Sequence, residues 1–257
     1  MWHDVRMLNA TTSALLGLLV LSLLGSGLWW VANRPMFTLK AIRIEAMEGT
    51  TLRHVSPSTV RTTAVPRIRG NFFTANLDSV RQAFEAVPWV RKASVRREWP
   101  NQLIVSIEEH RPLGTWGEDG RLLSEKGDVF TANLAEAEED AELAEFGGPA
   151  GSEKEVLARY RQLEEWLRPA SLAPRALHLS ERYGWSMRLD SGVRVELGRE
   201  QGPDMLKGRV DRLVGVWPQL AALLQDRIES VDMRYPNGLA LKAQGLALGN
   251  VSKKVKR

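Results

Sequence analysis

The sequence predicts an α+β protein: a single N-terminal transmembrane helix, a β-α-α-β-β domain, and a mainly antiparallel β domain with two or more helices. Three observations carry this prediction. An uncharged apolar run stands near the N-terminus. Behind it, two helical patterns lie between segments of period-two alternation, and after Pro112 the pattern changes to hairpins interrupted by helices.

Ala10 to Ala32 contains no charged residue and is longer than the roughly 20 helical residues that cross a bilayer's hydrocarbon core. Trp29 and Trp30 close its end, where amphipathic rings prefer the interface. A cleaved signal peptide is the alternative, but Gly27-Leu28-Trp29-Trp30 lacks small residues at the spacing a signal peptidase reads. Positive charges flank the run almost equally, with Arg6 before it and Arg34 and Lys40 after, so charge counting does not orient it. The short N-terminal tail favours insertion with the N-terminus inside.

The next region opens with a strand over Phe37 to Ala46, where Ile42 and Ile44 alternate. Ser58 to Ala64 reads as a short helix stopped by Pro66. A second helix from Leu77 to Ala86 carries Leu77, Val80 and Phe84 on one face. Val90 to Trp99 is a strand with Ala93, Val95 and Trp99 on one face, and Pro100-Asn101 turns the chain. In the returning strand Leu103, Val105 and Ile107 alternate with Ile104, Ser106 and Glu108, and Glu108 and Glu109 read as a solvated face. Arg111-Pro112 marks a boundary, since a residue before proline avoids helix.

Beyond it, Trp116 to Arg121 forms a tight turn between short strands, and the acidic stretch from Glu136 to Glu145 reads as a solvated loop or insertion. Ser152 with Glu155 forms a capping box for a helix whose stripe is Val156, Tyr160, Leu163 and Leu167. Trp185, Met187 and Leu189, then Val193, Val195 and Leu197, flank Asp190-Ser191-Gly192 as an antiparallel hairpin. The next helix starts with Pro203 and Asp204 in its first turn, carries a stripe from Leu206 to Leu224, and should kink or break at Pro218. A last hairpin from Ile228 to about Leu248 turns at Asn237-Gly238. The expected division is thus a tail at 1–9, a membrane helix at 10–32, domains at 33–111 and 112–250, and a basic, disordered tail at 251–257.

Little in the sequence points to catalysis or cofactors. The chain has 257 residues, a net charge of +4 and no cysteine, which removes disulfides, thiolate metal sites and cysteine nucleophiles. His3, His54, His110 and His178 lack metal-ligand spacing. No phosphate-binding glycine loop or serine-nucleophile motif is present. The expectation is no catalytic, cofactor or metal site, no nucleic acid and no small-molecule substrate.

The last hairpin is the candidate binding surface. Leu239, Leu241 and Ala243 lie on its returning strand, and no later strand follows to cover the free side. Tyr235 is read as an aromatic anchor, with a core position as the alternative. Arg182 and Arg234 are read as partners for acidic residues, with solvated positions as the alternative.

Several segments together resemble a known family. They are Phe37 to Ile44, Gly70-Asn71-Phe72-Phe73-Thr74-Ala75-Asn76-Leu77, Val87-Pro88-Trp89-Val90, Val95-Arg96-Arg97-Glu98-Trp99-Pro100 and Glu108-Glu109-His110-Arg111-Pro112. In this order they are similar to the POTRA domain of FtsQ/DivIB division proteins. Gly192 to Arg199 and Val231-Asp232-Met233-Arg234-Tyr235 resemble that family's β domain. The resemblance implies a single-pass inner-membrane protein with its N-terminus cytoplasmic and its bulk periplasmic, concentrated at the division septum. It also implies a divisome scaffold that binds FtsB and FtsL through the C-terminal part of the β domain, meets other divisome proteins through the POTRA and transmembrane segments, and helps control septal peptidoglycan synthesis. Two alternatives stand beside it: a tethered POTRA protein of envelope protein assembly or secretion, and a tethered periplasmic enzyme.

Overall fold

The computed structural model describes residues 5–32, 34–202, 204–224 and 227–244. Contacts divide the chain into two units, Met1–Glu109 and His110–Arg257.

The first unit begins with helix α1 (Val5–Ala32), whose apolar stretch Asn9–Ala32 reaches a mean hydropathy of 2.0 and contains no buried residue. Then come β1 (Ala41–Ala46), α2 (Pro57–Thr63), α3 (Leu77–Glu85), β2 (Val90–Glu98) and β3 (Gln102–Glu109). The helices start where side chains satisfy their free N–H groups. Ser56 Oγ accepts from Thr59 N, and Asn76 Oδ1 accepts from Asp78 N and Ser79 N. The sheet order is β1-β3-β2, with β1 parallel and β2 antiparallel to β3. Val60, Val80 and Phe84 from the helices meet Leu103, Val105 and Ile107 of β3 in one core.

Three expectations fail here. β2 ends at Glu98, so Trp99 sits in the tip turn, 66% exposed, and not on one strand face with Ala93 and Val95. Ile104 is buried on the outer face, where the register sets it between Arg43 and Arg96. Glu108 and Glu109 are buried, not solvated. Arg91 Nη1 meets the Glu108 carboxylate at 3.2 Å. The Glu109 carboxylate accepts from the backbone N–H groups of Arg53 at 2.7 Å, His54 at 3.1 Å and Val55 at 2.6 Å.

The second unit holds a nine-stranded sheet. Its strands are β4 (Pro112–Trp116), β5 (Arg121–Ser124), β6 (Val129–Phe130), β7 (Ala144–Gly147), β8 (Pro174–Leu179), β9 (Gly184–Leu189), β10 (Arg194–Arg199), β11 (Ile228–Asp232) and β12 (Ala240–Ala243). The helices are α4 (Leu134–Asp140), α5 (Glu153–Leu167) and α6 (Met205–Leu224). The strand order is β12-β11-β10-β9-β8-β7-β4-β5-β6. Pairing is mainly antiparallel, but β4–β7, β7–β8 and β10–β11 are parallel. Val156, Tyr160, Leu163 and Leu167 of α5 and Leu206, Val210 and Leu213 of α6 share one core with the alternating residues of β8, β9 and β10. Burial, and secondarily Glu164, pushes the Tyr160 hydroxyl up to about 12. That hydroxyl donates to the Pro174 carbonyl at 3.2 Å.

The acidic stretch is not a loop. It forms α4 and then β7, an interior strand, with Ala144 and Phe146 buried and Glu145 facing out to pair with Arg188. The capping box is absent, because Ser152 Oγ turns back and donates to the Pro149 carbonyl at 2.6 Å. Asp204 has φ of +61° and precedes α6, and Pro203 lies outside the described residues. α6 runs through Pro218 without a break. Asn237-Gly238 is not a two-residue hairpin turn, since Met233 to Leu239 all lie between β11 and β12. The basic tail and the expected strand residues beyond Gln244 lie outside the described residues.

Candidate partner-binding edge

β12 is the outer strand at one end of the large sheet and pairs only with β11 among the described residues. Gln244 N donates inward to the Arg227 carbonyl at 2.9 Å. N–H groups alternate in direction along a strand, so those of Leu241 and Ala243 point away from β11. Their side chains do different work. Leu239 and Leu241 are half-buried and pack against the core, and Ala243 is half-buried. Leu241 and Ala243 therefore keep outward-facing N–H groups, while the side chains of Leu239 and Leu241 hold the segment against the core.

Tyr235 lies in the loop before β12, 55% exposed, and so is no core residue. Its backbone is held by α6: Arg212 Nη1 donates to the Tyr235 carbonyl at 3.0 Å and to the Gly238 carbonyl at 3.3 Å. Arg234 is exposed and bound to its neighbour, with Nε 2.9 Å and Nη2 2.6 Å from the two Asp232 carboxylate oxygens. The Arg234 hydrogen bond holds the Asp232 carboxyl below its ordinary range, and Asp232 in turn pushes Arg234 up. A depressed carboxyl stabilises the fold at pH above the unfolded value of about 3.9, and that contribution is lost as pH falls through the lower folded value.

Arg182, exposed in the β8–β9 turn, and Arg234 line one groove together with Arg199, Arg209 and Glu196. The structure thus brings together two arginines that stand far apart in sequence. It adds two clamps that sequence reasoning missed, Arg209 and Arg212. Arg209 Nη1 donates to the carbonyls of Leu197 at 2.6 Å and Arg199 at 2.9 Å, which ties α6 to the end of β10. Both flank the core stripe of α6 at a spacing of i, i+3, which was the available signal.

Gly198 sets the floor of the groove. It has φ of +75° at a break in the β9–β10 register, and an added Cβ would lie 2.8 Å from Arg234 Cγ. Gly198→Ala should lower stability by about 1–2 kcal/mol from the left-handed backbone alone and displace Arg234. Denaturant unfolding checks the first effect, and an Asp232 titration restored toward its ordinary range checks the second.

Among the described residues, no group of three or more His, Asp or Glu side chains is placed to hold a metal ion. The arrangement is an open strand edge beside an exposed aromatic ring and a cationic groove. It is suited to an extended acidic chain.

Residues 37–110 match the family model "POTRA domain, FtsQ-type", and residues 114–234 match "Cell division protein FtsQ/DivIB, C-terminal". The chain is 50% identical over 246 residues to the cell division protein FtsQ of Burkholderia pseudomallei, covering 96% of each chain. It is 42% identical over 253 residues to the Bordetella pertussis protein of the same name, covering 94% of this chain and 92% of the other. With that of Thiomonas arsenitoxydans it shares 34% identity over 253 residues, covering 97% and 91%.

Proposed function

This chain belongs to the FtsQ/DivIB family of cell division proteins, and on that premise we propose that it acts as a non-enzymatic scaffold of the divisome. α1 anchors it in the inner membrane with the N-terminus cytoplasmic, and both folded units stand in the periplasm at the septum. An extended segment of FtsB, in complex with FtsL, adds to β12 as a further strand. By holding that pair, the protein links early and late division proteins and helps control septal peptidoglycan synthesis.

The observation that carries this reading is the outward-facing backbone of β12 beside the exposed ring of Tyr235. Main-chain hydrogen bonds supply affinity along such an edge, and adjoining side chains supply specificity. Arg182 and Arg234 select acidic partner residues, mainly through encounter rate and salt dependence. Tyr235 is the anchor. Truncating such an anchor costs about 2 kcal/mol, a roughly thirtyfold loss of affinity. Tyr235→Ala should therefore weaken FtsB binding by about that factor with the melting temperature unchanged. Titration calorimetry and thermal melts on the same preparations check it. Undiminished affinity in a folded variant removes Tyr235 from the interface.

A further inference from the structure

A cluster of aromatic rings stands at the anchor end of the first unit. Phe37 follows α1 almost at once, and its ring meets Phe73 at 4.8 Å and Trp99 at 5.8 Å between centroids. Phe72 touches Phe73 at 5.2 Å and Trp99 at 6.0 Å. Phe37 and Phe72 are buried, but Met36, Phe73 and Trp99 are 62%, 51% and 66% exposed. This is an apolar patch with no protein covering it among the described residues.

The sheet register explains the place. Ala41 at the start of β1 pairs with Gln102 at the start of β3, and Gln102 pairs with Glu98 at the end of β2. Lys40 N donates to the Asn101 carbonyl at 3.0 Å. The β2–β3 tip carrying Trp99 therefore lies where the chain leaves the anchor. The loop carrying Phe73 is tied to the anchor itself, since Asn71 Nδ2 donates to the Ala32 carbonyl at 2.9 Å.

The patch is also rigid. Asn71 Oδ1 accepts from the N–H groups of Phe73 and Thr74, each at 3.0 Å. Arg97 donates to the Phe72 carbonyl at 2.6 Å and to the Ala75 carbonyl at 2.8 Å. Gly70, at φ of +100°, lets this loop close, because a Cβ there would lie 2.9 Å from Ala75 N.

Helical rise decides what covers the patch. Trp29 and Trp30 mark the interface, and Ala32 lies only about 3–4.5 Å further along the axis at 1.5 Å per residue. The headgroup layer on each side of the hydrocarbon is roughly 5–8 Å deep. A loop bonded to Ala32 thus falls inside that layer. Arg34, exposed and 3.5 Å over the Trp30 ring, brings a cation to the level of the lipid phosphates.

We infer that Met36, Phe73 and Trp99 seat the first unit on the phospholipid interface at the C-terminal end of α1, so that anchor and domain enter the bilayer as one body. The inference rests on the anchoring role of α1 and is independent of binding at β12.

The absence of cysteine makes the test direct. Single nitroxide labels at Met36→Cys and Phe73→Cys are read in the full chain, reconstituted at low density in vesicles of phosphatidylethanolamine with phosphatidylglycerol. Leu18→Cys reports the anchor. Glu48→Cys reports water, since Glu48 follows the far end of β1 and is exposed. Labels at 36 and 73 should favour oxygen over a nickel chelate, as at 18, with the opposite at 48. Trp99→Ser should shift the ratio at 36 toward the aqueous value. Aqueous values at 36 and 73 with a lipid value at 18 overturn the seating and leave the anchor standing. An aqueous value at 18 overturns the anchor and the seating together. Ratios at 36 and 73 that change with protein density assign the patch to a second copy and overturn the lipid assignment.

Discussion

Ala243→Pro should reduce FtsB affinity by more than a hundredfold while the second unit stays folded. The Ala243 N–H points away from β11, because Gln244 N points toward it. Proline at 243 therefore removes a donor offered to the partner and leaves the β11–β12 hydrogen bonds in place, as proline is tolerated on an edge strand. The partner carbonyl loses its donor, and the ring stands between the two backbones. Together these cost about 3 kcal/mol, which is over a hundredfold in affinity. Lys242→Pro is the contrasting variant, since its N–H faces β11 and its loss should lower stability. Calorimetric affinity and a thermal melt on both variants separate the cases. Unchanged affinity in folded Ala243→Pro would show that the partner does not pair with β12.

Glu109→Ala should destabilise the first unit by about 3 kcal/mol. The carboxylate closes β3 against the segment before α2 and satisfies the backbone N–H groups of Arg53, His54 and Val55. Hydrogen bonds to a charged group contribute about 1.5–3 kcal/mol, and stranding a buried donor costs about 1–3 kcal/mol. Water reaching the emptied site offsets part of the combined loss. In a domain of this size, each kcal/mol lowers Tm by about 4–8 °C. A drop of more than about 10 °C is expected by calorimetry of the full chain in nanodiscs. Glu109→Gln keeps one acceptor oxygen and should fall between. A melt unchanged by Glu109→Ala would show that the segment before α2 holds without the carboxylate.

These two residues mark how far the sequence could be read. β9 and β10 were legible because Trp185, Met187 and Leu189 face one core and alternate without interruption. The α5 stripe was legible for the same reason. β7 was not, since its Ala144, Phe146 and Gly147 are few and lie behind acidic residues. Its place between β4 and β8 is set by parallel partners distant in the chain. Glu109 read as solvent-facing because its three donors lie more than 50 residues earlier, beyond the reach of any local pattern. In the candidate site, the outer place of β12 among the described residues agrees with the order of segments. The shared groove of Arg182 and Arg234 was not legible, because it depends on how α6 and the Gly198 bulge bring β8, β10 and β11 together.

The parallel pairing of β1 with β3 has a mechanical meaning. Tension between the anchor and the second unit enters the first unit at the start of β1 and leaves at the end of β3. Because the strands are parallel, those points lie at opposite ends of the ladder, from Ala41↔Gln102 to Ala46↔Ile107. A pull along the chain therefore loads all these pairs together in shear and does not peel them one by one. The first unit is therefore built to carry tension along the chain without unzipping.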